Sequence, residues 1–305
     1  MDNRSVVSRA HALAALASTA ALAACGPRGP APIAIGSKDF TEELLLGEMY
    51  AQILEKHGLP VARKLNLGGT QVAMAALQRG DIDLYPEYTG TALINVLKII
   101  PNSGNPGAYD APHIFITVQQ AYRQRFNLEW LKPAPMNDSQ ALATTRAISQ
   151  RYGIRTLSDL SKAAPQLRLG AVPEFTKRED ALPGLQRAYG GFRFKDIKLF
   201  DIGLKYKALE TGQVDVVVAF GTDGQIQADN LVVFVDDKHF WPAYQVAPVV
   251  RRATLDRYPP IEKYLDALAP HLTDNVMRAL NFNVDGAKQE PADVARQFLT
   301  VRGLV

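Results

Sequence analysis

Tyr88 and Thr91 stand at the end of the run Gly80-Asp81-Ile82-Asp83-Leu84-Tyr85-Pro86-Glu87-Tyr88-Thr89-Gly90-Thr91, a turn and a short strand set between two helical patterns. An echo follows in Gly212-Gln213-Val214-Asp215-Val216-Val217-Val218-Ala219-Phe220-Gly221-Thr222-Asp223, and each copy carries an aromatic residue eight positions after its glycine, Tyr88 and Phe220. Lys38 follows another short apolar run, Ile33 to Ile35. A ring, a hydroxyl and an ammonium group at strand ends suit recognition of a small molecule. Covalent chemistry finds less support. Ser139, Asp138 and five histidines are present, yet there is no nucleophile-elbow pattern, no His-x-x-x-His and no cysteine cluster. A secreted hydrolase is therefore a remote alternative, and the expectation is a protein that is not an enzyme, with no catalytic residue, metal or cofactor.

The elements that position these residues follow from periodicity and breakers. Ile33–Ile35 reads as a strand and the following helix carries Leu45, Met49 and Ile53 on one face, stopping at Gly58. Asp39 with Glu42 three residues on matches a capping box. Val61–Leu65 is the next strand, Gly68-Gly69-Thr70 turns into a helix with Thr70 as N-cap, and Gly80 ends it. Alternation of strand and helix implies a parallel sheet, and ligands of such sheets sit beyond the C-terminal ends of the strands. Lys38, Tyr88 and Thr91 thus fall on one rim. After a Pro/Gly/Asn-rich loop at 102–112 and a helix at 114–126, residues 128–136 read as an extended crossing segment and 137–139 as a hinge. A second α/β unit follows, with strands near 141–145, 167–171, 198–200, 214–220 and 232–235, and mostly helical chain over 175–189. His239 to Tyr244 returns to the first unit, where 246–250 is one more strand and the remainder is helical. The expected fold is α/β, a two-lobed clamp with two hinge crossings, each lobe a mainly parallel sheet flanked by helices. Its boundaries are 33–137 with 241–305 for lobe 1 and 138–240 for lobe 2.

The composition agrees with two α/β lobes in a soluble chain of 305 residues, and a net charge of +3 with scattered basic residues lends nothing to nucleic-acid binding. The first 25 residues read as a signal peptide: Arg4 and Arg9, an apolar stretch from Ala12 to Ala24, and then the chain's one cysteine, Cys25. Leu22-Ala23-Ala24-Cys25 resembles a lipobox, which implies export and lipid anchoring at Cys25; ordinary secretion with a free thiol is the alternative. Residues 26–32, rich in Gly and Pro, form the tether.

Taken together, Gly36-Ser37-Lys38-Asp39-Phe40-Thr41-Glu42, Leu67-Gly68-Gly69-Thr70, Tyr85-Pro86-Glu87-Tyr88-Thr89-Gly90-Thr91, Glu174-Phe175-x-x-Arg178-x-Asp180, Thr222-Asp223-Gly224 and Phe240-Trp241-Pro242-x-Tyr244 carry a resemblance. The chain resembles the substrate-binding proteins of ABC importers for quaternary ammonium compounds, the glycine betaine, choline and proline betaine binders. The resemblance implies a periplasmic-binding-protein clamp of type II. It also implies a periplasmic or cell-surface location and, as partners, a permease and an ATPase subunit. A methylated ammonium has no N–H to donate, so aromatic faces hold it through cation–π attraction, and a carboxylate needs Arg or Lys with hydroxyl donors. By resemblance, Tyr88 and Tyr244 match cage tyrosines, Thr91 the hydroxyl donor, and Lys38 and Arg178 the cations that take the carboxylate. Phe220 stands where the family has tyrosine. The segment Asn137-Asp138-Ser139-Gln140 stands where the family usually has a polar pair leading to a further cage tyrosine, so that Asp138 falls in that stretch and Gln140 replaces the tyrosine. Each residue also has an ordinary reading: packed tyrosine, solvated charge, turn aspartate. Glu87 and Asp223 read as structural, and Trp241 as hinge packing. The function expected is delivery of a quaternary ammonium or betaine-type solute to the importer. The alternative is the same fold binding another zwitterion, an amino acid or a trimethylated amino-acid derivative, because of Gln140.

Overall fold

The computed structural model describes residues 31–100 and 110–305, of which Ile33–Val305 form one compact unit. The expected signal peptide, Cys25, most of the tether and most of the 102–112 loop lie outside the described residues.

The described chain begins with β1 (Ile33–Gly36), α1 (Thr41–Lys56), β2 (Val61–Lys64), α2 (Thr70–Arg79) and β3 (Leu84–Tyr88). Next come α3 (Thr89–Thr91), which continues into a π-helical turn, α4 (Ala111–Phe126) and β4 (Leu128–Trp130). A second set follows: β5 (Gln140–Thr144), α5 (Arg146–Tyr152), α6 (Leu157–Ala163), β6 (Arg168–Ala171), α7 (Leu182–Tyr189) and β7 (Asp196–Leu199). It is completed by α8 (Lys205–Glu210), β8 (Val216–Phe220), α9 (Gln225–Ala228) and β9 (Val232–Val233). The chain then returns as β10 (Val246–Arg251) before α10 (Arg252–Arg257), α11 (Ile261–Asp266), α12 (Asp274–Asp285) and α13 (Pro291–Val301).

Two five-stranded sheets result, β2-β1-β3-β10-β4 and β7-β6-β8-β5-β9. The repeat seen in sequence is a repeat in space. Gly80 and Gly212 both adopt positive φ, 81° and 67°, where a side chain would be strained. Three residues on, Asp83 takes the backbone N–H of Ala34 at 2.9 Å and Asp215 that of Arg168 at 2.8 Å, so each aspartate ties its own strand to the neighbouring parallel one. Each sheet is mainly parallel in strand direction, with one strand reversed in it. β10 enters sheet one antiparallel to β3, pairing Val246 with Tyr88, and β5 pairs antiparallel with β8, Gln140 against Phe220. The cause is chain direction: both inserted strands begin where the chain has just crossed from the other sheet. The two crossings lie side by side, with the Tyr244 N–H donating to Asn137 Oδ1 at 2.7 Å and the Asp138 N–H to the Tyr244 carbonyl at 3.1 Å.

Local corrections have local causes. Thr41 opens α1 and Phe40 is its N-cap, with no side-chain cap bond, so Asp39 and Glu42 form no capping box. Glu42 is instead drawn inward, 3% exposed. Gly69, not Thr70, caps α2. Residues 128–130 are the edge strand β4 rather than part of a crossing, because β10 supplies a partner on that side. The 175–189 helix is broken into a 3-10 turn over Pro173–Thr176 and α7, since Asp180 between them is buried and paired. α1 is central because it is buried on nearly every side. Leu45, Leu46, Met49, Ile53 and Leu54 are all buried, as α1 packs between sheet one and α11, α12 and α13. Each such side chain contributes about 1.5–3 kcal/mol.

Candidate functional site

The C-terminal ends of β1, β3, β6, β7 and β8, with the two crossings, surround a cavity of about 600 Å³. That is within the roughly 300–1,000 Å³ of small-molecule sites. All eight residues singled out in sequence, Lys38, Tyr88, Thr91, Asp138, Gln140, Arg178, Phe220 and Tyr244, line it. Sequence reasoning passed over Phe40, Phe200 and Glu174, which line it too. Phe40 and Phe200 sit on loops leaving β1 and β7, so the strand-end rule that selected Lys38 would have found them. Asp180 has no such signal, yet much of one wall hangs from it.

One end of the cavity is aromatic and acidic. Tyr88 stacks near Phe40, ring centroids 6.2 Å apart, and its hydroxyl donates to Glu42 Oε1 at 2.7 Å. Asn281 Nδ2 donates to the other oxygen at 2.8 Å. Behind Phe220, Asp138 accepts from the Thr222 hydroxyl at 2.7 Å. Burial, with Glu42 and Asp223 adding repulsion, pushes the Asp138 carboxyl well above the usual range; burial also raises Glu42.

The other end holds the Arg178 guanidinium. Arg178 makes a two-point bond to Asp180, 2.9 and 2.7 Å, and reaches Thr91 Oγ1 at 3.4 Å and Glu174 at 3.5 Å. Tyr244 donates to Asp180 Oδ2 at 2.7 Å, while Gln140 Nε2 and Trp241 Nε1 both donate to the Asp180 carbonyl at 2.8 Å. Burial opposes charge on Asp180, but Arg178 outweighs it and holds the carboxyl below its ordinary value. Trp241 is 9% exposed and does not line the cavity, in line with a packing role. Glu174 packs onto Gly69 at the start of α2, so closely that a Cβ there would overlap its carboxylate.

Lys38 is not a free cation. Its ammonium lies 2.7 Å from Glu87 and 3.5 Å from Glu43, and 4.6 Å from the Tyr88 ring centroid. Burial works against its charge, yet Glu87 and Glu43 raise its pKa overall; burial moves Glu43 itself to about 8. Glu87 also accepts from the Tyr85 hydroxyl and the Tyr88 N–H, and Asp223 accepts from the Phe220 N–H, so both brace loops. Ser139 turns its hydroxyl to the Gln140 carbonyl, and no histidine, serine or cysteine is among the cavity-lining residues. Among the described residues no cluster suits a metal ion, and no helix is long and apolar enough to cross a membrane.

A cavity with rings backed by carboxylates at one end and a guanidinium with a hydroxyl at the other suits a ligand that is cationic at one end and anionic at the other. Comparison with known proteins points the same way. A family model, OpuAC, the substrate binding domain of ABC-type glycine betaine transport system, matches residues 31–301. The chain is 38% identical over 274 residues to the ergothioneine transport permease/ergothioneine binding protein EgtU of Helicobacter pylori, covering 90% of this chain and 48% of that protein. It thus spans about half the length of that relative. A glycine-betaine-binding protein of Pseudomonas aeruginosa is 35% identical over 290 residues, covering 92% of this chain and 91% of its own. A solved structure described as a glycine betaine/carnitine/choline ABC transporter superposes with a TM-score of 0.72 at 29% identity, covering 89% of this chain and 99% of that one.

Proposed function

The chain belongs to the family of substrate-binding domains of ABC-type glycine betaine transport systems, and from that premise we propose that its cleft takes a zwitterion carrying a trimethylammonium group and a carboxylate. The observation that carries this reading is the polarity of this cavity: Phe40, Tyr88 and Phe220 toward acidic groups, Arg178 and Thr91 at the other end. The ammonium rests on the rings, each desolvated contact contributing up to about 2 kcal/mol, and the carboxylate meets Arg178 and Thr91. Lys38, held by Glu87 and Glu43, serves the ring wall more than the carboxylate. The protein performs no chemistry on its ligand. It works as the extracytoplasmic receptor of an importer, tethered through lipid on Cys25, with lobe 1 made of 33–137 and 241–305 and lobe 2 of 138–240, closing about the paired crossings.

A second reading within this class rests on Gln140. Where a third cage ring would stand, this chain offers an amide whose nitrogen is spent on the Asp180 carbonyl and whose oxygen remains for a ligand. A trimethylated amino acid with a polar side group uses that oxygen; ergothioneine, named for the relative at 38% identity, is such a molecule. The test is a thermal-shift screen with glycine betaine, carnitine, choline, ergothioneine and unmethylated amino acids. A ligand at a hundred times its Kd stabilises by about 2.7 kcal/mol, which raises Tm by about 5–10 °C for a domain of this size. Shifts confined to trimethylammonium compounds support the proposal; shifts only with unmethylated amino acids overturn it.

A further inference from the structure

Asp138 and Gln140 stand two residues apart on the stretch that enters β5, the spacing that puts side chains on one side of an extended chain, and both line the cavity. Each is anchored by one polar atom and keeps the other free. Asp138 Oδ1 accepts the Thr222 hydroxyl at 2.7 Å and the Thr222 N–H at 3.2 Å, which leaves Oδ2 without a protein partner among the described residues and not sealed off. Gln140 Nε2 is spent on the Asp180 carbonyl at 2.8 Å; a carbonyl only accepts, so the nitrogen is fixed there and Oε1 is the free atom.

The two free atoms differ in kind. Asp138 is 7% exposed and makes no ion pair with Lys or Arg among the described residues. Facing it are Glu42 from α1, Asp223 after β8, and the tyrosines Tyr88 and Tyr206, while Lys205 on α8 is held by Asp223 at 3.2 Å. A lone buried carboxylate is costlier than its un-ionised acid, and burial with these acidic neighbours raises the Asp138 carboxyl well above its usual range. With two donors already on Oδ1, the proton belongs on Oδ2, which makes that oxygen a donor. Gln140 Oε1 beside it is an acceptor.

We propose that Asp138, as an un-ionised acid, and Gln140 together read a donor–acceptor edge on the ligand: a planar group with an N–H beside a C=O or C=S, as in a carboxamide or a cyclic thiourea. The ligand's acceptor takes the Oδ2 hydrogen bond and its N–H goes to Oε1. A trimethylammonium group offers neither, a carboxylate only acceptors and a primary ammonium only donors, so each leaves at least one of the pair unmet. The proposal rests on the trimethylammonium zwitterion reading of the site and specifies the polar side group of that zwitterion.

The test is calorimetric titration of the purified protein with N,N,N-trimethylglutamine and with the analogue whose carboxamide is replaced by an isopropyl group of the same shape. The wild type is expected to favour the amide by at least about tenfold. Asp138→Asn keeps an N–H donor and an oxygen for Thr222, and is expected to keep that preference, whereas Asp138→Ala and Gln140→Leu each lower it about tenfold. Loss of the preference in Asp138→Asn, or its survival in Asp138→Ala, overturns the donor role. An infrared difference spectrum of wild type against Asp138→Asn at neutral pH reads the acid itself: the carbonyl stretch of an un-ionised carboxyl is expected, and its absence overturns the proposal even where Asp138→Ala fails to fold. A wild type that binds glycine betaine but favours neither trimethylglutamine nor ergothioneine over the isopropyl analogue overturns this proposal alone. One that binds no trimethylammonium compound overturns the zwitterion reading as well.

Discussion

In the proposed site, Gln140 is the side chain that departs from the aromatic cage the resemblance implies. It occupies the first position of β5, opposite Phe220, where a ring would complete the cage, and its amide nitrogen is tied to the Asp180 carbonyl. That carbonyl also receives the Trp241 indole N–H, so it keeps a partner if Gln140 is replaced. Gln140→Tyr is therefore expected to leave the fold intact and to tighten glycine betaine binding about tenfold, one cation–π contact's worth, while weakening any ligand that used the amide oxygen. Titration of the variant with glycine betaine checks this, and an unchanged affinity would show that the extra ring does not reach the ammonium. Lys38, Tyr88 and Thr91 were legible in sequence because they follow strand ends and Phe220 because it repeats Tyr88, whereas Arg178, Asp138, Gln140 and Tyr244 were legible only through the family resemblance. Glu42 was not legible in its actual role. Its spacing from Asp39 reads as a helix cap, and only Asn281, 239 residues away in the chain, draws it under Tyr88.

At the scale of elements, the repeated aspartates do the work that a longer ladder would otherwise do. Asp215 binds the Arg168 backbone N–H and, through two further bonds of 2.8 Å, its guanidinium, clasping β8 to the start of β6. The Arg168 hydrogen bonds hold the Asp215 carboxyl below its ordinary pKa despite some burial. A depressed carboxyl contributes stability that is present above the unfolded value, about 3.9, and is lost as pH falls through the lower folded value. Asp215→Asn is thus expected to lower the melting temperature at pH 7 and to converge on the wild type under acid conditions near pH 3 and below. Melts across that range test it; a gap that stays constant with pH would mean the carboxylate charge is not what clasps the strands. Alternation of strand and helix was readable from periodicity, since each unit is local. The antiparallel insertion of β10 between β3 and β4 was not, because a short apolar run such as Val246 to Val250 carries no mark of the direction of its partner. The same holds for β5 beside β8.

At the scale of the molecule, two sheets of like strand order are joined by two adjacent crossings, and each crossing feeds a central strand whose neighbour ends in a cavity-lining ring, Tyr88 or Phe220. Contacts between the sheets' own elements span the mouth of the cleft: Arg178 to Thr91, Asn95 to Asp180, and Glu174 against Gly69. In the proposed pose the ligand's two ends rest on different elements, which would couple occupancy to the relative position of the lobes. The duplication that the sequence displays as Gly80–Tyr88 and Gly212–Phe220 is what makes such a clamp readable from the chain alone. The charge pattern inside it is not, because it depends on which buried carboxylates find cationic partners. Calorimetric titration of the wild-type protein and of Tyr88→Ala with glycine betaine and ergothioneine tests the central claim most directly. The account predicts saturable one-to-one binding of a trimethylammonium zwitterion by the wild type and a loss of at least about tenfold on removing the ring; no heat with either compound, or equal affinity in Tyr88→Ala, would contradict it.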